Sequence, residues 1–152
     1  MITYQTENVK MPSIRRRAIS AWIRQVAEQH GCTVGDIAYI FCDDERIIDV
    51  NRQYLQHDYY TDIITFDYTE GTRISGDLFI SLDTVRTNAS QFADNAYRQE
   101  LLRVIIHGIL HLCGINDKGP GEREVMEQHE NEALALLTTP STPNGIDAYF
   151  RD

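Results

Sequence analysis

The chain is poor in cysteine, in long apolar runs and in positive charge, and each shortage narrows what it can be. Its three cysteines, Cys32, Cys42 and Cys113, are an odd number without framework spacing. No disulfide scaffold is expected, and the thiols read as reduced, as in a cytosolic protein. No apolar run approaches the roughly 18 residues of a membrane span. The opening residues, MITYQTENVK, lack a basic start followed by an apolar stretch, so no secretory signal is expected. Lys and Arg total 14 against 23 Asp and Glu, a formal net charge of -9. This excludes a wholly basic nucleic-acid binder and leaves room only for a local basic face. Arg15 to Arg17 are a candidate for such a face; the simpler reading of three adjacent arginines is a solvated helix surface. Neither an internal repeat nor a linker divides the sequence.

What is present fits one ordinary domain. The 152 residues are 42% hydrophobic and 24% charged, near the globular average. A chain of this length buries roughly two-thirds of its unfolded surface without help from disulfides or an oligomer. Residues 2–7 alternate apolar and polar, which predicts a short strand. Ile14, Ala18, Ile19, Trp22, Ile23, Val26 and Ala27 recur at three and four residues and predict a helix that stops at Gly31. Residues 36–42 read as a buried strand. Asp43 and Asp44 are set to cap a helix carrying Ile47, Ile48, Val50, Asn51, Tyr54 and Leu55. Strands are predicted at 63–68 and 77–82, with Glu70–Gly71 as a turn between them. Helices are predicted at 83–94, at 97–113 ending on Gly114, and at 121–137. The order is an α/β (α+β) pattern: a small mixed four-stranded sheet packed with about five helices. It forms a single domain over residues 1–137, with 138–152 expected as a mobile C-terminal tail.

The predicted helix 97–113 carries His107 and His111. Four residues advance a helix by about 400°, so both imidazoles share one face, one turn apart. A helix presents two ligands to one ion in this way. Two histidines on an apolar helix are equally well explained as core residues bonded to backbone carbonyls. The surroundings favour a site. Gly108 inside a helix costs about 1 kcal/mol relative to Ala, so something should offset it, such as a close approach by another backbone or a substrate. Gly114 lets the chain turn back and bring Asp117 toward the same face. Two imidazoles, one carboxylate and an open position form the pattern of catalytic zinc, whereas structural sites are closed by four ligands. Cys113 lies about 200° round the helix from His111 and reads as buried filler. His129, on the next helix between Glu127 and Glu130, is a rival third ligand. Gly108 follows His107 where a metalloprotease of the HExxH type has its glutamate, which argues against peptidase chemistry.

The run His107-Gly108-Ile109-Leu110-His111-Leu112-Cys113-Gly114 resembles the H-G-x-L-H-L-x-G-Y-D-H signature of the YbeY family of metal-dependent endoribonucleases. Asn51, Tyr54, Asp58, Thr61 and Phe66 resemble the family's L-N-x-x-Y-R-x-x-D-x-x-T-D-V-L-S-F segment. Gly76-Asp77-Leu78 resembles its G-D-I/L strand. The resemblance spans about Phe41 to Leu137. It implies an α/β sandwich and a single-strand endoribonuclease acting in small-subunit ribosomal RNA maturation and ribosome quality control. Ribosomal RNA and small-subunit proteins are then the expected partners, in the cytoplasm, with neither membrane nor DNA involved. The family metal is taken to be one Zn2+ per chain held by three histidines, of which two correspond to His107 and His111.

The third family histidine falls at Asp117 and the preceding aspartate at Asn116. Aspartate is a competent zinc ligand. It should leave the bound water less acidic than an all-histidine site would, and it widens the metal choice toward harder ions such as manganese. The family arginine after the tyrosine falls at Leu55. Arg52 and Arg103 are candidates to restore that charge, Arg103 because it lies four residues before His107; each is equally readable as a surface ion pair. Asp77 is a candidate for orienting a ligand or water, or an ordinary strand-end residue. Tyr54, Tyr59, Tyr60, Phe66 and Tyr68 would stack bases if exposed, or pack the strands. Two rival readings are a ribosome-assembly factor with a structural metal closed by His129, and a metal-dependent hydrolase of another substrate.

Overall fold

A computed structural model of the protein describes residues 1–55, 61–91, 96–138 and 145–151. Four strands, β1 (Ile2–Glu7), β2 (Thr33–Cys42), β3 (Ile63–Asp67) and β4 (Arg73–Ser81), form one sheet in the order β1-β2-β4-β3. β1 and β4 run parallel to β2, and β3 runs antiparallel to β4. Five α-helices accompany the sheet: α1 (Arg16–Gln29), α2 (Asp44–Val50), α3 (Leu82–Ala89), α4 (Tyr97–Leu112) and α5 (Glu122–Ala135). The mixed sheet and the helix number match the sequence reading.

Period-two alternation divides the strand side chains between two layers. Ile37, Tyr39, Phe41, Leu78 and Ile80 join the buried faces of α1 and α4 in the main core. Tyr39 donates its hydroxyl proton to the Ile105 carbonyl at 2.8 Å, and Trp22 donates Nε1–H to the Ala133 carbonyl at 2.9 Å. These two bonds tie the sheet to α4 and α1 to α5 while satisfying buried polar atoms. On the other side, Cys42, Ile47, Val50 and Ile64 form a smaller cluster under α2, with Phe66 and Phe79 packed against it. Asp43 caps α2 by accepting from the Arg46 N–H at 2.9 Å, which satisfies a first-turn donor.

Several boundaries differ from the sequence reading. β4 begins at Arg73 because Thr33 and Val34 of a longer β2 pair with Arg73 and Ile74. Ser81 ends the strand as the cap of α3, accepting from the Thr84 N–H at 3.3 Å. The helix through Asn51 and Leu55 continues as one turn of π-helix, Asn51–Leu55. α3 stops at Ala89, and residues 92–95 of the predicted helix lie outside the described residues.

The expected tail is corrected over residues 145–151. A 3-10 turn at Gly145–Tyr149 leads to Phe150, which is 4% exposed and pairs with Ile14. Arg15 donates Nε–H to the Phe150 carbonyl at 3.1 Å, and Arg151 donates its backbone N–H to the Ser13 carbonyl at 2.7 Å. An aromatic ring buried in the main core, with the Arg98 guanidinium 4.9 Å from its centroid, outweighs the Pro- and Thr-rich approach that made the segment look loose. Arg16 and Arg17 are exposed on α1, as a solvated face requires.

Candidate metal centre

Beyond its first turn, α4 is mostly buried. Between Leu101 and Leu112, Arg103, His107 and His111 are the residues that keep partial exposure. They fall at i, i+4 and i+8, so a single polar stripe runs down an otherwise apolar helix. Gly108 lies on the opposite, sheet-facing side. A Cβ there would meet Ile63 Cδ1 and Leu78 Cδ2, each at 3.0 Å. The missing side chain therefore lets α4 sit close on β3 and β4, and this offsets its helix cost. Gly114 ends the helix with φ +98°, a left-handed conformation open to glycine. Its N–H bonds the His111 carbonyl at 3.0 Å and the Ile115 N–H bonds the Leu110 carbonyl at 3.1 Å. That reversal returns Asp117 to the polar stripe.

His107 is the hub. Its Nε2 lies 3.3 Å from Asp117 Oδ2, and its Nδ1 lies 2.7 Å from Glu130 Oε2. Glu130, on α5, is 7% exposed and has a second partner, Arg103, whose Nη1 donates to Oε1 at 3.0 Å. The other guanidinium nitrogen of Arg103 donates to Asn131 Oδ1 at 2.8 Å. Burial alone would lower the His107 pKa. The bond to Glu130, with the charges of Glu130, Asp117 and Asp62, outweighs burial and raises it. For Glu130, burial would raise the carboxyl pKa, but hydrogen bonds from His107 and Arg103 dominate and lower it.

Of the cavities that share His107 and Asp117, the two larger lie toward β3 and toward α5. One, of about 370 Å³, is also bordered by His111, Asp62, Leu55 and Lys118. The other, of about 360 Å³, is bordered by Glu100, Arg103, Arg123, Glu127 and Glu130. The three sequence-derived candidates His107, His111 and Asp117 thus share one cavity wall. Among the described residues, no trio of His, Cys, Asp or Glu already stands in metal-holding geometry. The donor chemistry still fits an ion at this point. Two ligands of a tetrahedral zinc with bonds of about 2.0 Å lie about 3.3 Å apart, the separation found between His107 Nε2 and Asp117 Oδ2. A carboxylate on Nδ1 is the usual arrangement behind a metal-ligating histidine, because it orients the ring and leaves Nε2 to the ion.

The other candidates fall in different places. Arg103 is bound to Glu130 and Asn131, so it acts on His107 through Glu130. Asp77 does not join the centre. It accepts from the Tyr68 hydroxyl at 3.3 Å and borders a separate depression with Asp36 and Arg73. Its register opposite Phe66 and beside Ala38 turns it to the sheet side away from α4. Cys113 packs against the main core, where burial and then its Cys32 neighbour push the thiol up to about 12. His129 sits apart, with Glu132 at 3.6 Å and the His30 ring at 4.9 Å. Arg52 is exposed on the π turn. Tyr54 and Tyr68 are 57% and 58% exposed, whereas Phe66 packs edge-on between Tyr54 and Phe79. Asp58, Tyr59 and Tyr60 lie outside the described residues.

Two residues of this corner escaped sequence reasoning. Glu130 is one acid among many on α5, and the only signal was its place between Met126 and Ala133 on the buried face. Asp62 precedes β3 and borders the cavity with His111; burial raises its pKa, opposed first by the charge of His107.

Comparison with known proteins places the chain in a family. The family model described as Endoribonuclease YbeY matches residues 1–138. An Endoribonuclease YbeY from Phocaeicola vulgatus is 71% identical over 138 residues, covering 91% of this chain and 99% of that one. One from Bacteroides thetaiotaomicron is 71% identical over 135 residues, covering 89% and 98%. A Thermotoga maritima protein solved in solution superposes with a TM-score of 0.62 at 25% identity, covering 94% of both chains. The chain belongs to the YbeY endoribonuclease family.

Proposed function

We propose that the protein is a zinc-dependent endoribonuclease that hydrolyses phosphodiester bonds in single-stranded RNA, and that it serves small-subunit ribosomal RNA maturation in the cytoplasm. The observation that carries this reading is the His107 corner, with Nε2 facing Asp117 at 3.3 Å and Nδ1 held by Glu130 at 2.7 Å. Family membership adds the substrate class, since the matched relatives carry the name Endoribonuclease YbeY. No helix among the described residues is long and apolar enough to cross a membrane.

His107, His111 and Asp117 would hold the ion. A bound zinc supplies Lewis acidity toward water and a phosphoryl oxygen. The protein's own part is orientation and proton handling. Glu130 keeps the His107 proton on Nδ1, so Nε2 presents a lone pair to the cavity. Arg103 balances the buried Glu130 charge, which would otherwise be costly. Asp62 is the carboxyl in position to take a proton from the attacking oxygen. It borders the cavity, and burial raises its pKa toward the working range of a general base. His129, paired with His30 and Glu132, gives no support to a closed four-ligand structural site.

The test is cleavage of a single-stranded oligoribonucleotide by zinc-loaded, chelator-treated and His111→Ala protein. Cutting is expected only in the first. Full-rate cutting by the chelator-treated protein would contradict zinc dependence, and an inactive loaded wild type would contradict the activity itself.

A further inference from the structure

The two larger cavities that share His107 and Asp117 differ in charge. The cavity toward α5 is bordered by the carboxylates Glu100, Asp117, Glu127 and Glu130, against two guanidiniums, Arg103 and Arg123. Arg103 is already bound to Glu130 and Asn131, and Arg123 has Glu127 one helical turn on. The cavity toward β3 has two carboxyls, Asp62 and Asp117, and one ammonium, Lys118. A phosphodiester strand carries one charge per nucleotide, so the α5 side, with four carboxylates and its Arg103 already bound, repels it more than the β3 side does. The β3 side also offers the hydroxyls of Thr61 and Thr65 along its wall. Leu55, 43% exposed, borders it, and next to Leu55 on the π turn, outside the cavity wall, Tyr54 is 57% exposed and edge-on to Phe66. A ring presented in this way can stack a base.

Taking the RNA substrate of the preceding reading as given, we propose that Lys118 is the phosphate-binding cation of this centre, and that the RNA strand enters through the cavity Lys118 shares with His111 rather than through the one bordered by Arg123. Lys118 follows Asp117 directly in the chain. The turn that brings the carboxylate to His107 therefore sets the ammonium at the mouth of the same cavity. Lys118 is exposed, so substituting it leaves the core intact.

The experiment is equilibrium binding of a fluorescent single-stranded oligouridylate to chelator-treated protein across a salt series, read by anisotropy. Wild type, Lys118→Ala, Lys118→Arg and Arg123→Ala are compared, with thermal melting as the fold control. Removing the cation that neutralises one phosphate of a single strand lowers the slope of log K against log salt by about 0.7. Lys118→Ala is expected to bind about tenfold more weakly at low salt, with the slope reduced by that amount. Lys118→Arg should restore both, and Arg123→Ala should match wild type. Unchanged slope and affinity in Lys118→Ala, or a weakening confined to Arg123→Ala, would overturn the assignment while leaving the RNA reading standing. A wild type that neither binds nor cuts the oligonucleotide would overturn both.

Discussion

His107 and His129 both lie on helices beside carboxylates, one helix apart, yet their rings meet opposite surroundings. His107 has an anion at each nitrogen: Glu130 at 2.7 Å from Nδ1 and Asp117 at 3.3 Å from Nε2. His129 has a buried Nδ1 with no hydrogen-bond partner, Glu132 at 3.6 Å, and the His30 ring 4.9 Å away. Burial lowers the His30 pKa, and His129 lowers it further. At His107 the neighbouring anions reverse the effect of burial. A histidine prepared for a cation is recognised by the acid bonded to its second nitrogen, and His129 has no such bond at its buried Nδ1.

The contrast can be broken by mutation, and the largest effect belongs to the rings themselves. His107→Ala should reduce zinc from about one per chain to none by elemental analysis, whereas His129→Ala should retain it. Zinc lost equally from both would erase the distinction between the two corners. Next comes the acid behind the ring. Glu130→Gln keeps the shape and removes the charge, and zinc affinity should fall about 10–100-fold in competition with a chromophoric chelator. An affinity equal to wild type would leave Glu130 a mere packing partner of α4 and α5.

Removing Arg103 should act more mildly. Glu130 keeps His107 as a partner, so Arg103→Ala should cost about 1–3 kcal/mol in urea unfolding and less zinc affinity than Glu130→Gln. The reverse order of affinities would show Arg103 meeting the ion or substrate directly. The smallest effect is in pH. In metal-free protein the folded pKa of His107 stands above its unfolded value. Its stabilising contribution is therefore complete below the unfolded value of 6.5 and is lost as pH rises through the folded one. Thermal melts should show stability falling over that rise in wild type and a flatter profile in Glu130→Gln. Equal slopes would mean that the pair does not govern the titration.

The fold was legible where local pattern decides. The stripe from Ile19 to Ala27, the Asp43 cap and the strand at β3 all stand in the structure. The start of β4 was not legible, because it follows from pairing with residues forty positions earlier, Thr33 and Val34. The docking of Phe150 on Ile14 was missed for the same reason: its partner is distant in the chain. In the centre, His107 and His111 follow from helix geometry, and Asp117 follows from the Gly114 reversal. Glu130 carries no spacing signal, and Asp62, though it falls on the aspartate of the matched T-D-V-L-S-F run, carries none that ties it to His107; the arrival of both depends on how α5 and β3 pack beside α4. Asp77 shows the converse. It sits in a matched motif, but strand alternation turns it away from the centre.

The most direct test of the account is a zinc titration of chelator-stripped wild type beside Asp117→Ala. About one tightly held zinc per wild-type chain, with affinity sharply reduced in a folded Asp117→Ala variant, is the result predicted for an ion between His107, His111 and Asp117. Equal zinc affinity in the two proteins, or a folded wild type that takes up neither zinc nor manganese, would contradict it.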